Sequence, residues 1–570
     1  MNCFFKRITA PIVFILIFCL TANAQIASTV PAEWDISAKI RVEGLERSQV
    51  MQTASYLTNV IGSRLTGSPG LKRARAWTRT KLTGWGLQNA HLESWGPFGR
   101  GWSLKRFSAQ MVAPEAFQLI AYPKAWSPGT SGVVTGAVVY LESDDAAGLE
   151  KYRGKLKGAI VLFTAPRELK ARFEPLATRH DEKSLLALAN RPDPETEQTF
   201  REAERKRQPQ RPPPSPETEA LMKSFRARQF YPRKIQFLID EGAAAALEVS
   251  REGDGGTIFT EEAFAPLPLE AKDDAASGDS RPNVWDKNPP PNLPQITVAA
   301  EHYNRIVEML RRGEKLKMTL DLAVEFHDED LMGYNVISEI PGTDPKLKDE
   351  VVMLGGHLDS WHTATGATDN AAGCAVMMEA VRIFQALNLK PRRTIRIALW
   401  DGEEQGLFGS KDYVTRHFGF LGDGTDASIR EARIRGEKPK LTAKPEYEKI
   451  SAYFNLDNGA GKIRGIGING NEALRPIFRR WLMPFGDFGA STVSASGSGG
   501  TDHISFYRIG IPGFQFIQDP LEYWTRTHHS NMDNYDRLQE EDLKQSSVIV
   551  AAFVYNTAMM DERLPRQPIR

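Results

Sequence analysis

Side chains that bind metal ions follow each of three predicted strands in the second half of the sequence. They are His357 and Asp359 after the first strand, Glu403 and Glu404 after the second, and Asp457 after the third. Nitrogen and carboxylate oxygen ligands without thiolates suit zinc or a similar divalent cation. Because carboxylates crowded at one place would otherwise take up protons, we expect cations among them.

Further groups of the same kind lie between and after these strands. Asp369 lies at the start of a predicted helix, and the pairs Asp502-His503 and His528-His529 come later. A two-metal site needs a bridging carboxylate, further ligands for each ion and one unligated base, and these residues supply them. Such a site would acidify a water molecule and direct it at a polarised carbonyl, so the predicted chemistry is amide hydrolysis.

These side chains can meet only if the strands that precede them are parallel neighbours. The predicted strands are 351–354, 394–400 and 450–456, and a predicted amphipathic helix over 370–387 separates the first two. A strand, a helix and a strand at this spacing indicate a parallel pair with a right-handed crossover. Since the carboxyl ends of such strands meet at one crevice, the sequence predicts one site formed by segments far apart in the chain.

Five ordered segments resemble the M28 family of zinc exopeptidases. They are His357-x-Asp359, the run 368–373, the run 403–410, Asp457, and His529-Ser530-x-x-Asp533. The runs 357–361 and 528–530 are most similar to the plasma glutamate carboxypeptidase-like (carboxypeptidase Q-like) branch of that family. The resemblance covers about 36–114 and 321–560. It implies a dizinc hydrolase that removes terminal residues from peptides or cleaves dipeptides.

The resemblance also implies which residues hold the two zinc ions. Asp369 would bridge both ions, His357 and Asp457 would complete one site, and Glu404 and His529 would complete the other. Cobalt or manganese could replace zinc, because nitrogen and oxygen ligands constrain the metal only loosely. A cis peptide bond after Asp369 is a further implication of the resemblance.

Two residues receive catalytic roles from the same resemblance. Glu403 would be the general base, which takes a proton from the attacking water and later delivers it to the leaving amine. Asp359 would orient the ring of His357 by a hydrogen bond.

Several residues near these ligands allow two interpretations. His528 could replace His529 as the ligand, although Asp533 lies four residues after His529, as the family pattern requires. Asp502, His503 and His528 could line the substrate pocket, or the first two could simply hold their loop by hydrogen bonds.

Two further side chains are predicted to lie outside the ligand set. His362 is interpreted as a surface residue rather than a ligand. Cys374 lies on the inner face of the predicted helix, where a small packed residue is expected instead of a nucleophile.

The sequence divides into a peptidase domain and an insert. We expect an α/β sandwich with a mixed sheet, formed by residues 25–114 and 321–570. Residues 115–320 are predicted to form a β-rich insert that resembles a protease-associated (PA) domain, on the signature Gly154-Lys155-x-x-Gly158. Within it, 166–232 is charged and proline-rich, which is typical of a solvated segment.

The first residues of the sequence predict export. Lys6 and Arg7 precede an apolar run that ends in a small-x-small pattern at Ala22-Asn23-Ala24, so residues 1–24 are predicted to be a signal peptide. The mature protein would then be secreted or periplasmic, without stable insertion in a membrane.

The 570 residues include 72 Lys and Arg against 71 Asp and Glu, a formal charge of +1. This balance argues against nucleic acid as a partner.

A peptide or a dipeptide is therefore the expected substrate. Aminopeptidase, carboxypeptidase and dipeptidase activities share this metal chemistry, and the sequence does not choose among them. Two alternatives use the same fold: a glutaminyl cyclase-like acyltransferase with a single zinc, and a receptor-like homologue that only binds partners. Formation of a homodimer through the insert is also left open.

Overall fold

The computed structural model describes residues 32–193, 216–270, 282–497, 499–566 and 569. The predicted signal peptide 1–24 lies outside this part of the chain, and so does 194–215 in the middle of the charged insert. Among the described residues, none of the helices has the length and apolar composition that crossing a membrane requires.

The described residues form eighteen strands, which belong to two eight-stranded sheets and one two-stranded sheet. In chain order the strands are β1 Gln88–Trp95, β2 Gly101–Ala113, β3 Phe117–Gln118, β4 Ala121–Pro123, β5 Val134–Tyr140, β6 Ile160–Leu162, β7 Ala245–Val249, β8 Gln295–Val298, β9 Lys317–His327, β10 Gly333–Ile340, β11 Val351–His357, β12 Thr394–Trp400, β13 Gly419–Leu421, β14 Leu441–Ala443, β15 Ile450–Asn455, β16 Ile463–Gly467, β17 Thr492–Ser494 and β18 Gly513–Gln518.

Helices connect these strands and cover the sheets. The α-helices are Ala32–Glu46, Val50–Ser55, Pro69–Gly84, Ala146–Leu149, Glu182–Ala189, Pro216–Asp240, Ala300–Arg311, Ala372–Ala386, Phe408–His417, Asp426–Ile434, Arg475–Leu482, His503–Tyr507 and Glu540–Met559. Short π-helical turns are Tyr56–Ile61, Ala367–Ala371 and Tyr523–Thr527, and short 3₁₀ turns are Glu150–Tyr152, Glu472–Leu474, Met483–Phe488 and Tyr535–Arg537.

The first sheet has the strand order β1-β10-β12-β11-β15-β18-β16-β17. Its four central strands, β12, β11, β15 and β18, are parallel, whereas β1, β10 and β16 pair antiparallel with their neighbours toward the centre. The predicted mixed sheet of an α/β fold is confirmed. The predicted right-handed crossover unit corresponds to β11, the helix Ala372–Ala386 and β12.

Helices cover one face of this sheet and bury it. The helix Ala372–Ala386 packs with the helices Ala32–Glu46 and Glu540–Met559 and with the apolar side chains of the central strands in one hydrophobic core. Every residue of β11 is buried, as expected for a parallel strand that is covered on both faces. The helix begins at Ala372 rather than at 370, because the chain first makes the π-helical turn Ala367–Ala371.

An aromatic cluster covers the opposite face. Phe506 from the helix His503–Tyr507 stacks on Tyr453 of β15 with 4.3 Å between ring centroids. Trp400 of β12 packs against both rings, and its indole nitrogen donates a hydrogen bond of 2.6 Å to the Tyr453 hydroxyl. The sheet therefore lies between two layers of helices, and its carboxyl edge is held from both sides.

The second sheet has the order β3-β2-β9-β5-β6-β7-β8-β4, with β5 to β8 parallel. Its long strands β2 and β9 pair antiparallel from Gly101 with His327 to Ala113 with Lys317. This sheet therefore includes residues on both sides of the expected insert 115–320. The relation of the insert to PA domains stays a prediction.

A segment of the insert is fastened to the first sheet by ion pairs. The guanidinium of Arg179 lies 2.9 Å from Asp519 and 2.7 Å from Asp542, and Arg464 contacts Asp519 at 2.9 Å. The following helix, Glu182–Ala189, lies beside β17. Both carboxylates are buried, so these contacts hold the insert against the edge of the peptidase sheet.

Candidate metal centre

The parallel strands bring the predicted ligands to one edge of the first sheet. His357 is the last residue of β11 and pairs in register with Trp400, the last residue of β12. Glu403 and Glu404 follow β12, and Asp457 follows β15, the other neighbour of β11. Side chains that lie 100 residues apart in the sequence therefore become neighbours at the carboxyl ends of three strands.

One group of ligand atoms forms around His357. Its Nε2 atom lies 3.3 Å from Asp369 Oδ1 and 3.3 Å from Asp457 Oδ1. All three residues are buried, and their candidate ligand atoms lie within 4.8 Å of one another. This separation suits a divalent cation that contacts all three atoms.

A second group forms around His529. Its Nε2 atom lies 3.0 Å from Glu404 Oε2 and 3.3 Å from Asp369 Oδ2. The ring of His528 stacks on that of His529 with 3.7 Å between centroids, and its Nε2 lies 3.9 Å from the same Asp369 oxygen. The two oxygens of Asp369 thus face different groups, which places Asp369 between two candidate ion positions.

The donor atoms of this site fit a cation better than they fit each other. Several buried side-chain atoms of the described residues have no hydrogen-bond partner, and four of them belong to these candidate ligands: His357 Nε2, Asp369 Oδ2, Glu404 Oε1 and Asp457 Oδ1. Buried polar atoms are normally hydrogen-bonded, because leaving one unpaired costs about 1–3 kcal/mol. A divalent ion would satisfy these nitrogen and oxygen atoms together.

The electrostatics of these side chains also favour a bound cation. Burial raises the pKa of Glu404 to about 8, and the charge of Asp369 adds to the rise. Burial and the neighbouring carboxylates raise the pKa of Glu403 well above its usual value. Burial opposes ionisation of Asp369 as well, but the neighbouring His357, His529 and His528 lower its pKa. Without positive charge, this cluster would hold extra protons.

Asp359 braces the segment that contains two of the predicted site residues. Its Oδ1 accepts a hydrogen bond from the backbone N–H of Glu403 at 3.3 Å, and its Oδ2 accepts one from the N–H of Glu404 at 3.2 Å. The contact with His357 is looser: Nδ1 lies 3.6 Å from Asp359 Oδ1 and 3.1 Å from the Asp359 carbonyl oxygen. Asp359 therefore holds the backbone of the glutamates in addition to facing the histidine.

Asp533 repeats this arrangement on the bridging segment. Its two oxygens accept hydrogen bonds from the backbone N–H groups of Thr368 at 2.6 Å and Asp369 at 3.1 Å. The peptide bond between Asp369 and Asn370 is cis, as the resemblance implied. The Asn370 side chain donates to the Leu456 carbonyl at 2.9 Å, which links this segment to the one before Asp457.

Asp502 and His503 lie in the protein interior beside the metal groups. Both are buried, and burial raises the pKa of Asp502 to about 8. The charge of His357 lowers the pKa of Asp502, and the charge of Asp457 raises it. Burial lowers the pKa of His503 to about 4. Their assignment to the substrate pocket stays a prediction, as does that of His528.

The surface position expected for His362 is wrong. The residue is buried, and its Nε2 donates a hydrogen bond of 2.7 Å to the carbonyl oxygen of Pro123. Its ring packs edge-on against Trp102 and Tyr122. Sequence reasoning missed this because the covering residues come from strands of the second sheet. The packed position predicted for Cys374 is confirmed: its thiol is buried and donates to the His357 carbonyl at 2.9 Å.

Comparison with known proteins identifies the region that contains these groups. Residues 335–554 match Peptidase family M28. This part of the chain resembles an M28 peptidase domain. The resemblance predicted from the five sequence segments is thereby confirmed, and the strands β11 to β18 lie within the matched residues.

Relatives of the M28 domain include several carboxypeptidases. Carboxypeptidase Q of Mus musculus is 27% identical over 276 residues, which cover 48% of this chain and 52% of the mouse protein. The match thus spans about half the length of that relative. Carboxypeptidase Q of Bos taurus is 26% identical over 530 residues, which cover 92% of this chain and 89% of the bovine protein.

Solved structures show the same fold. A peptidase M28 precursor from Shewanella amazonensis has a TM-score of 0.61 at 21% identity and covers 94% of this chain and 99% of its own. A zinc aminopeptidase from Bacillus subtilis has a TM-score of 0.52 at 16% identity and covers 90% and 96%. The described two-sheet architecture is therefore shared with known peptidase structures.

Three residues around the M28 ligands had no role assigned from the sequence. Thr66 donates its hydroxyl to Asp359 Oδ2 at 3.1 Å. Glu261, from the second sheet's connecting segment, lies 2.8 Å from Nδ1 of His529. No sequence motif marks either residue, because its partner in the site, Asp359 for Thr66 and His529 for Glu261, lies more than 250 residues away in the sequence.

Arg64 is the third such residue, and it ties the two ligand segments together. Its buried guanidinium donates hydrogen bonds of 2.7 to 2.8 Å to the carbonyl oxygens of Leu358, Thr365 and Gly366. The sequence offered no signal for this role, because the property that sets Arg64 apart is its burial, and burial cannot be read from the sequence. The contacts fix the loop between His357 and Asp369.

Proposed function

We propose that this protein is a dizinc exopeptidase that hydrolyses terminal peptide bonds or dipeptides. The observation that carries the proposal is that two groups of possible ligands share Asp369. One group adds His357 and Asp457, and the other adds the two histidines His528 and His529. Glu404 Oε2 lies 3.0 Å from His529 Nε2 in the second group. The M28 domain supports the reaction class. The names of the relatives, carboxypeptidase and aminopeptidase, support an enzyme that works from a chain end.

The proposed ligand set follows the two groups. Asp369 would bridge both ions, His357 and Asp457 would hold one, and Glu404 and His529 would hold the other. His529 is preferred to His528, because only its Nε2 lies near both Asp369 and Glu404. Zinc fits the nitrogen and oxygen donors, and cobalt and manganese would fit them as well.

The mechanism depends on the base beside these ligands. When bound, the cations would polarise the scissile carbonyl and lower the pKa of the attacking water. Glu403 would accept the proton of that water at a carboxylate oxygen and deliver it to the nitrogen of the leaving amine. The hydrogen bond that the Glu403 backbone N–H donates to Asp359 holds the Glu403 backbone in place for this transfer.

The space around the ligands favours short substrates. The cavity in contact with Asp369, Glu404 and His529 measures only about 10 Å³. A larger cavity of about 370 Å³ lies between Asn458, the neighbour of Asp457, and Trp524, whose ring packs against His528. A cavity of this size could hold one side chain and a chain end. A cavity of about 400 Å³ lined by Glu261 is a second candidate for the same role.

Product analysis by mass spectrometry tests the proposal. The purified chain would be incubated with a mixed peptide, a dipeptide and copies blocked at either end, with and without a chelator. We expect chelator-sensitive loss of single residues or cleavage of the dipeptide. Glu403→Gln should keep its bound zinc and lose about 10²- to 10⁴-fold in rate, because general-base catalysis contributes about that much.

The products also decide what the structure leaves to experiment. Loss of residues from a free N-terminus would define an aminopeptidase, and loss from the C-terminus a carboxypeptidase. Cyclisation of an N-terminal glutamine with a single bound zinc would instead establish the cyclase alternative. Bound metal without any reaction would favour a binding homologue. Export by the predicted signal peptide and formation of a homodimer stay predictions, testable by N-terminal sequencing of the secreted protein and by light scattering.

A further inference from the structure

In the second sheet, the segment between β7 and β8 contacts a proposed zinc ligand, His529. Residues 258–261 run alongside 529–531, with backbone hydrogen bonds from Thr260 N–H to the His529 carbonyl at 3.2 Å and from Asn531 N–H to the Ile258 carbonyl at 3.1 Å. The Asn531 side chain accepts from the Ile258 N–H at 2.8 Å. This pairing fixes the register of the insert segment against the histidine.

Glu261 uses that register to contact the histidine side chain. Its Oε1 lies 2.8 Å from Nδ1 of His529, on the opposite side of the ring from Nε2. Nε2 is the atom that faces Asp369 and Glu404 at 3.3 and 3.0 Å. An oxygen that accepts the Nδ1 hydrogen leaves Nε2 as the lone-pair nitrogen, which is the form of histidine that binds a metal.

Two arginines hold the Glu261 carboxylate in place. Arg251 contacts its Oε1 at 2.5 Å, and Arg228 contacts its Oε2 at 3.4 Å. The side chain of Glu261 is only 17% exposed, so its orientation is set by these contacts and not by solvent. His529 itself is half-buried and stacks on His528. The ring is therefore positioned from two sides.

We propose that Glu261 is a positioning residue for the metal centre: it fixes the tautomer and orientation of His529, so that the insert completes a site whose proposed ligands all lie in the peptidase domain. The inference rests on the proposed function in taking His529 as a metal ligand. It makes affinity for one of the two ions depend on the insert. Among the described residues, the ion-pair contacts of Glu261 are with His529, Arg251 and Arg228. Affinity for the ion that His357 and Asp457 would hold should therefore change least.

Zinc binding to the purified full-length chain tests this role. Metal-free protein would be titrated with zinc in the presence of a fluorescent competing chelator, for wild type, Glu261→Ala and Glu261→Gln. Glu262→Gln is the matched control, because it changes a neighbouring half-buried carboxylate, and the contacts of His529 among the described residues do not include Glu262. Outer-sphere partners of metal-bound histidines contribute about 10- to 100-fold in affinity, so Glu261→Ala should weaken one of the two zinc ions by that factor.

The variants separate positioning from structural support. Glutamine keeps an oxygen acceptor for Nδ1, so Glu261→Gln should recover part of the affinity that alanine loses, and Glu262→Gln should bind zinc as wild type does. The melting temperature of the metal-free protein should be similar for wild type, Glu261→Gln and Glu262→Gln, and the zinc-dependent increase should shrink most for Glu261→Ala.

Three results would overturn the inference. The first is wild-type zinc affinity in Glu261→Ala, the second is an equal loss in Glu262→Gln, and the third is a metal-free melting temperature that falls in Glu261→Ala together with both zinc affinities. Failure of the proposed function looks different. Wild-type protein that binds two zinc ions but cleaves no peptide would refute the exopeptidase, while the affinity series would still decide the role of Glu261.

Discussion

Asparagine in place of Asp359 should impair catalysis by disturbing the backbone of the two active-site glutamates. Each carboxylate oxygen of Asp359 accepts a backbone N–H, from Glu403 at 3.3 Å and from Glu404 at 3.2 Å. Asparagine offers one oxygen and one NH₂ group at nearly the same positions. One of the two backbone N–H groups would then face another donor, whichever way the amide is turned.

The size of the effect follows from that one lost contact. A hydrogen bond to a charged acceptor contributes about 1.5–3 kcal/mol, and a factor of ten in rate corresponds to about 1.4 kcal/mol. If the whole loss appears in the transition state, kcat for Asp359→Asn should fall about 10- to 150-fold. This loss is smaller than the one expected for Glu403→Gln, because the base itself remains.

The assay is kcat at saturating zinc and saturating peptide, measured for Asp359→Asn and for Thr66→Val. Valine removes the hydroxyl that donates to Asp359 Oδ2 at 3.1 Å but leaves both backbone contacts intact. Thr66→Val should therefore lose much less activity than Asp359→Asn. Equal losses in the two variants, or full activity in Asp359→Asn, would refute the argument that Asp359 acts by holding the glutamate backbone.

Two further predictions follow from buried groups. Burial raises the pKa of the Cys374 thiol to about 12, so iodoacetamide should leave Cys374 of the native protein unlabelled and should label it only after denaturation. Mass spectrometry of the native protein would contradict this by showing an adduct on the peptide that contains Cys374. Burial lowers the pKa of His362 from 6.5 to about 4. Between these pH values the unfolded chain binds the proton and the folded protein does not, so His362 makes stability fall as the pH drops through this window, by up to about 1.4 kcal/mol per pH unit. Melting temperatures from pH 4 to 7 should fall less steeply for His362→Gln than for wild type, and parallel curves would exclude the contribution.

Much of the metal centre could be inferred from local sequence, because its ligands follow predictable strands. The runs before His357 and Asp457 are apolar and short, and their predicted positions agree with β11 and β15 to within a few residues. Parallel strands joined by a helix have their carboxyl ends at one edge. The grouping of both residues with Asp369 therefore followed from connectivity before any distance was known.

The surroundings of these ligands could not be inferred in the same way. His362 was expected at the surface, but side chains of the second sheet cover it. The predicted insert begins at 115, but the strand before it, β2, already belongs to the second sheet. Both outcomes depend on which segments pack against each other across a long sequence separation, and periodicity within one segment does not contain that information.

The sequence by itself determined which donor groups the candidate site contains, because donor types and their order along predicted strands are local properties. Only the tertiary structure decided how the donors are held. Glu261 lies 268 residues before the histidine it contacts, and the carboxylate of Asp359 faces two backbone N–H groups that no motif connects to it. A hydrogen bond depends on position within a few tenths of an ångström, and such precision arises only when the whole core is packed.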